Sequence, residues 1–295
     1  MLYEQGMKDR SVANIAPGRR FHPFTRTGDM NSRLLLLFSS LLLLVISSAP
    51  AFAFASAPWA VIAQGVEYAV FNGQIHVVRL DPSRAKLVLL LASEQDKRPR
   101  TTGAWCKDFN LIAAINAGMY GTDYSTNVGY LRNGTHVQNG RWSGRYKSAL
   151  AFDPLKPGLP QAVIVDLDEP GAKDSLKYYR SVVQNLRLMK KRGVNVWPSS
   201  DKRWSEAAVG MDSQGRILFL FCRTPYPMKE FNELVKSLQL GVIRMMHVEG
   251  GSEASLSVNA GGFTRDLAGT FDVTTPPGDS DGEQWPIPNV IGIQK

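Results

Sequence analysis

Three stretches of the chain place polar, chemically able side chains where an apolar run stops. They are "IAAINAGMYGTDYSTNVG" (112–129), "FLFCRTPY" (219–226) and "MMHVEGGSEAS" (245–255). Each has the form of a buried strand followed by a polar turn. A rigid strand fixes the backbone at its end, so the side chains just beyond it face a cleft in a set geometry. Glycines there, such as Gly118, Gly250 and Gly251, let backbone N–H groups approach a ligand closely, above all an anion. The third stretch carries the strongest chemical signal: Glu249, two glycines, Ser252 and a second acid, Glu253.

The elements that must position these residues follow from pattern. "YAVFNGQIHVVRL" reads as a hairpin turning at Asn72-Gly73, and "VGYLRNGTHVQNG" as a second around Asn133-Gly134. "AAVGMDSQGRILFLFC" is a third, turning at Ser213-Gln214-Gly215. "AKLVLLLAS", "LIAAINAGMY", "KSALAFD", "QAVIVDLD", "GVIRMMHV" and the closing "PNVIGI" are strands. "TTGAWCKDFN" opens a short helix with Thr102 as its cap, and "MKEFNELVKSL" is an amphipathic helix with Phe231, Leu234, Val235 and Leu238 on one side. "SLKYYRSVVQNLRLM" is ambiguous. Leu176, Tyr179, Val183 and Leu186 keep helical spacing, yet the centre is β-branched. Many hairpins and few helices predict an α+β fold: a single domain over 57–295 with a mixed, largely antiparallel sheet.

Composition excludes several classes. The chain has 295 residues and a formal net charge of +8. The leader through residue 53 holds six basic and three acidic residues, so the remainder carries +5. That excess suits anionic ligands. It forms no basic stripe with interleaved aromatics, so no nucleic-acid partner is expected. Arg33 precedes an apolar run, Leu34 to Ile46, followed by "SSAPAFAFASA". A basic flank, a short apolar core and small-x-small sites make a signal peptide over 30–53, cut after Ala53, Ala55 or Ala57. The core is shorter than the roughly 20 residues of a membrane span. A periplasmic or secreted protein is therefore expected, with no stable membrane insertion after cleavage. Residues 1–29 read as an extension before a native start at Met30. Two cysteines, Cys106 and Cys222, allow a disulfide or two buried thiols. Four histidines and no paired Cys/His spacing predict neither a metal nor another cofactor. His76 and His136 fall in hairpins and are expected to face solvent. A Cys222–His247 thiol–base pair is set aside, because Cys222 ends an apolar strand where a thiol packs.

Taken in order, "INAGMY", "EAAVG" before a hairpin, "VEGGSEASL" and a closing "IPNVIGI" resemble the phosphodiester glycosidase family across Tyr68 to Ile293. The chain is most similar to an exported bacterial branch. The family's Asn-Gly-Gly-Phe turn is matched by Asn116-Ala117-Gly118-Met119, and its Gln-Ser-Gly-Pro-like stretch by "QNLRL" from Gln184. Its Arg-Thr-Ala-Ile-Gly stretch is matched by Glu206 to Gly210, and its Asp-Gly-Gly-Gly-Ser signature by Glu249 to Glu253. The signature Asp is thus Glu249, its third Gly is Ser252, its final Ser is Glu253, and the Arg of the third motif is Glu206.

The resemblance implies hydrolysis of a sugar-1-phosphodiester or a related envelope glycan. That reaction passes through oxocarbenium-like charge and needs a carboxylate near the anomeric carbon. Glu249 is the leading candidate, and Asp123 and Glu253 compete for a second role. Asn116 and Gln184 are candidates to hydrogen-bond sugar hydroxyls. With an acid at 206, Arg223 or Arg203 must supply charge for a phosphate, with Arg187 a weaker candidate. The glycine turns at Gly118, Gly250, Gly251 and Ser252 would line the ligand. The competing reading is a non-catalytic periplasmic protein that binds a glycan or anion in the same cleft, favoured by the changed motif residues.

Overall fold

The computed structural model describes residues 59–276, 278 and 282–295, all within one compact unit. The expected signal peptide and N-terminal extension lie outside the described residues. The strands fall into three sheets rather than one, and every strand pair among the described residues is antiparallel. With three α-helices, the architecture is α+β.

The largest sheet has eight strands. At its centre the long hairpin Arg203–Asp212 and Ile217–Pro227 is flanked by Ile75–Leu80 on one side and Val242–Gly250 on the other. A five-stranded sheet is ordered His136–Asn139, Leu131–Asn133, Tyr179–Asn185, Ser148–Pro154, Ala162–Asp166. The third is ordered Phe263–Ala268, Ser255–Ala260, Leu111–Asn116, Asn289–Gln294, Leu87–Leu91. The C-terminal strand therefore lies between two strands from the first half of the chain.

The three sheets share one core. Val209, Phe219 and Val248 from the first, Leu131, Leu150 and Val183 from the second, and Ile115, Leu256 and Ile291 from the third are buried in the same cluster. Burying such side chains is the main favourable term in folding, about 1.5–3 kcal/mol for each large apolar group. The far face of the eight-stranded sheet is covered by the helix Met228–Ser237. Its Met228, Phe231 and Val235 pack on Leu188, Leu220 and Cys222.

The hairpin turns form where expected. Asn72 and Gly73 both take positive φ, as a two-residue turn of matching twist requires. Asp212 Oδ1 accepts the Gln214 and Arg216 N–H groups, both at 2.9 Å, and closes the Ser213–Gly215 turn. The helix Thr102–Asp108 is capped by Thr101 rather than Thr102; Thr101 Oγ1 accepts the Ala104 N–H at 3.1 Å. The ambiguous stretch resolves as a brief helical turn, Ala172–Ser175 and Leu176–Tyr178, then the strands Tyr179–Asn185 and Arg187–Lys190. Pairing on both sides buries Val182 and Val183, so tertiary context overrides the helical spacing. His76 and His136 are half-buried and partnered rather than facing water. His76 Nδ1 meets Tyr68 Oη at 2.6 Å, and His136 Nε2 meets Ser93 Oγ at 3.0 Å.

Candidate active site

The strand Val242–Gly250 pairs with Arg203–Asp212 so that Glu206 faces Gly250, Ala207 faces Glu249 and Ala208 faces His247. The register shifts between Ala207 and Ala208, which leaves Val248 as an extra residue. Such a shift bends the strand and re-aims the side chains beside it. Val248 enters the shared core, while His247 and Glu249 join Glu206 in a cluster of buried ionisable groups.

Glu206 and His247 are in direct contact. His247 Nδ1 lies 2.7 Å from Glu206 Oε1, and Trp204 Nε1 donates to Glu206 Oε2 at 3.1 Å. Burial pushes the Glu206 carboxyl above its ordinary range, against the pull of His247 and Trp204. At His247 burial works against the charged form, but the charge and hydrogen bond of Glu206, with Glu249 beyond, outweigh it and raise the imidazole. The pair thus holds its proton to higher pH.

Glu249 is 8% exposed, and its Oε1 accepts the Gly250 N–H at 3.1 Å. Burial pushes its carboxyl up to about 7, opposed by His247 and the Gly250 N–H and assisted by Glu253 and Glu206. Tyr120 and Tyr146 also sense the Glu249 charge. Both phenols are raised, first by burial and then by that carboxylate, so both stay protonated O–H groups at neutral pH.

Asn116 reaches the turn at 253–255 directly, whereas Arg223 reaches it only through residues 268–269. Asn116 Nδ2 donates to the Glu253 carbonyl at 2.9 Å, and its Oδ1 accepts the Ser255 N–H at 2.8 Å. Gly118, at φ +149°, has no room for a side chain: a Cβ would sit 2.7 Å from Asn127 Oδ1 and 3.2 Å from Asn185 Nδ2. Asn185 Nδ2 in turn donates to the Val248 carbonyl at 3.3 Å. Arg223 Nη1 donates to the carbonyls of Ala268 and Gly269, at 2.6 and 3.1 Å. Gly269 packs directly on the Gly251 carbonyl, and a Cβ on Gly251 would run into the Phe271 ring.

Several expected ligand-binding groups serve the backbone instead. Gln184 Oε1 accepts from the Tyr130 and Ser143 N–H groups, both at 3.0 Å, while Nε2 donates to the Ser143 and Tyr146 carbonyls. Its hydrogen-bonding capacity is thereby filled. Asn116 is spent in the same way on the turn after Glu249. Asp123 is exposed and closes a turn by accepting the Ser125 and Thr126 N–H groups, at 3.1 and 2.9 Å; the Thr126 side chain first, then these N–H groups, hold its carboxyl below the usual range. Glu253 and Ser252 are half-buried beside the site. Arg203 is exposed at the start of its strand, and Arg187 pairs with Asp166 and Asp168. Arg223 braces the loop behind Gly251 rather than presenting Nη1 to a ligand.

Cys106 and Cys222 are free, buried thiols. Burial pushes Cys222 up to about 12, and its Sγ meets the Thr224 carbonyl at 3.5 Å, so it forms no pair with His247. Among the described residues no group of three or more His, Cys, Asp or Glu has the geometry to hold a metal.

Sequence reasoning missed the Glu206–His247 contact, the two tyrosines, Asn127 and Asn185. Asn127 is 1% exposed, and its Oδ1 has no hydrogen-bond partner among the described residues. A buried, unpaired acceptor beside Gly118 is an expensive feature in a fold with no ligand there. A cavity of about 450 Å³ lined by Ile62, Ala85, Ile112 and Lys295 involves none of these residues. The site is marked by desolvated charge rather than by that cavity.

Residues 109–294 match the family model described as phosphodiester glycosidase. No curated protein matches the chain. The catalytic domain of zebrafish N-acetylglucosamine-1-phosphodiester alpha-N-acetylglucosaminidase, auto-inhibited by its pro-peptide, superposes with a TM-score of 0.51 at 12% identity, over 78% of this chain and 77% of that one. A hypothetical protein from Synechocystis superposes with a TM-score of 0.52 at 14% identity, over 78% of this chain and 62% of that one. At these identities the likeness is one of fold.

Proposed function

The chain belongs to the phosphodiester glycosidase family, and from that premise we propose that it is an exported hydrolase of a sugar-1-phosphodiester or a related envelope glycan linkage, with Glu249 as its essential carboxyl. One observation carries the reading: Glu249 is buried beside the Glu206–His247 pair at the end of its strand, and its carboxyl is pushed up to about 7. A carboxyl with that affinity for a proton is poised for acid–base work at neutral pH. The zebrafish neighbour in fold is an N-acetylglucosamine-1-phosphodiester alpha-N-acetylglucosaminidase, which supports the substrate class.

In this mechanism water attacks the anomeric carbon, the bond from that carbon to the phosphoryl oxygen breaks, and the phosphate ester departs with the electron pair. A phosphate is a weak base and leaves without a proton. The step that needs help is activation of water, and Glu249 takes that proton while its charge offsets the oxocarbenium-like transition state. The protonated Tyr120 and Tyr146 hydroxyls offer hydrogen bonds beside it, and the half-buried Glu253 is the second carboxyl within the same turn.

The test is sugar release from a panel of sugar-1-phosphodiesters and nucleotide sugars by the mature protein and by Glu249→Gln. Loss of this carboxylate should lower turnover by about a hundredfold or more. Unchanged turnover in Glu249→Gln overturns the assignment. Binding of the panel without turnover in the wild type favours the non-catalytic glycan-binding reading.

A further inference from the structure

We propose that Glu206 holds His247 as an imidazolium, and that this imidazolium is the cation that receives the anionic half of the substrate. The inference rests on the reading of the site as one that takes a sugar phosphodiester, and it assigns the charge that such a substrate requires.

A negatively charged ligand must enter a site that already holds Glu206, Glu249 and Glu253. Those three and His247 are the charged side chains that bear on Glu249. Arg203 is exposed and Arg223 is engaged with the carbonyls of Ala268 and Gly269. Arg145, whose charge bears on Tyr146, is exposed as well, so His247 is the buried group of the cluster able to carry positive charge.

The geometry is that of a fixed, charged ring. Glu206 is 1% exposed and His247 4% exposed, so neither charge is stabilised by water. A buried carboxylate of this kind needs a counter-charge in contact. Its two oxygens are taken separately, Oε1 by His247 Nδ1 and Oε2 by the Trp204 indole N–H. That arrangement fixes the ring with Nδ1 toward Glu206, which leaves Nε2 as the end available to a ligand. Gly250 makes the packing possible. A Cβ there would stand 2.6 Å from the Trp204 ring and 3.3 Å from His247 Cε1. The indole and imidazole therefore lie against the bare backbone beside Glu249.

The groups facing His247 from every side agree with this charge state. Glu206 comes from the neighbouring strand, and Glu249 from the same strand. The Cys222 thiol, opposite Glu206, stays neutral, as do the Tyr120 and Tyr146 phenols beyond Glu249. Two carboxylates flank one imidazole, and among the described residues no cation acts on it. Glu206 is accordingly a positioning residue: it acts on substrate through His247.

Nitrogen-15 spectra of the histidine-labelled protein at pH 7 test the inference without requiring turnover. His247→Gln identifies the His247 signals among the four histidines. The expected wild-type pattern is an imidazolium with both ring nitrogens protonated, shifted on addition of inorganic phosphate. Glu206→Gln keeps the shape and removes the charge, and it should weaken phosphate binding by about tenfold or more. A His247 ring that is singly protonated at pH 7 overturns the proposal. So does wild-type protein that binds no phosphate, or phosphate affinity unchanged in both variants. An imidazolium that binds phosphate in a protein without sugar-releasing activity sinks the hydrolase reading alone. Sugar release by a protein with a neutral His247 sinks this inference alone.

Discussion

Asn116 grips both sides of the turn that carries Glu253: its Nδ2 donates to the Glu253 carbonyl at 2.9 Å, and its Oδ1 accepts the Ser255 N–H at 2.8 Å. The amide is 1% exposed, so neither backbone group can turn to water when it is removed. Asn116→Ala should cost about 1–3 kcal/mol in urea denaturation, the penalty for stranding buried polar groups. Turnover should fall as well, because the turn beside Glu249 loses its brace. Full stability in the alanine variant would show that the turn holds itself.

Glu249 sets a pH signature on both stability and rate. Its carboxyl is pushed up to about 7 in the fold, above its ordinary value when unfolded. The stabilising contribution of its neutral form is complete below the ordinary carboxylate pKa and is lost as pH rises through about 7. The loss amounts to about 3 kcal/mol. Melting temperature should drop between pH 5 and 8 in the wild type and drop less in Glu249→Gln, by differential scanning fluorimetry. The rate should move the opposite way. A base works deprotonated, so kcat/KM should climb through the same pH range. Parallel melting curves for the two proteins would place Glu249 in contact with water.

Gln184 is a structural pin. Its side chain makes four hydrogen bonds to backbone groups of Tyr130, Ser143 and Tyr146. Gln184→Ala should lower melting temperature clearly. In the fraction that stays folded, KM for a sugar phosphodiester should remain close to the wild-type value. A raised KM with normal stability would return Gln184 to the substrate.

The leader predicts where the mature chain starts. After expression in a bacterial host, N-terminal sequencing of the exported protein should begin between Phe54 and Pro58, following the Ala-rich sites. Recovery of an intact leader in the soluble cytoplasm would overturn export.

Local signals in the sequence were read well, and cross-strand relations were not. Asn72-Gly73 and the 213–215 turn announce themselves through residues that tolerate positive φ. Glu249 stood out because an acid at the end of an apolar run is conspicuous. Gln184 and Asn116 have the right types for sugar hydroxyls, but sequence cannot say whether an amide meets a ligand or a backbone. The Glu206–His247 contact joins residues 41 positions apart. It depends on strand register and on the shift at Val248, neither of which leaves a mark in composition or period. The 175–189 stretch stays open between helix and strand in the sequence for the same reason, because partners on both sides decide it.

The place of the last strand has a consequence for folding. Asn289–Gln294 is hydrogen-bonded on one side to Leu87–Leu91 and on the other to Leu111–Asn116. Until Asn289–Gln294 arrives, those two earlier strands have nothing between them, and the third sheet stays open. Long-range pairing of this kind is slow to form. Asn116 sits at the end of one of those strands, so the brace on the turn beside Glu249 waits on a strand far along the chain. The third sheet and the brace on the 251–255 turn therefore form together, and late in folding.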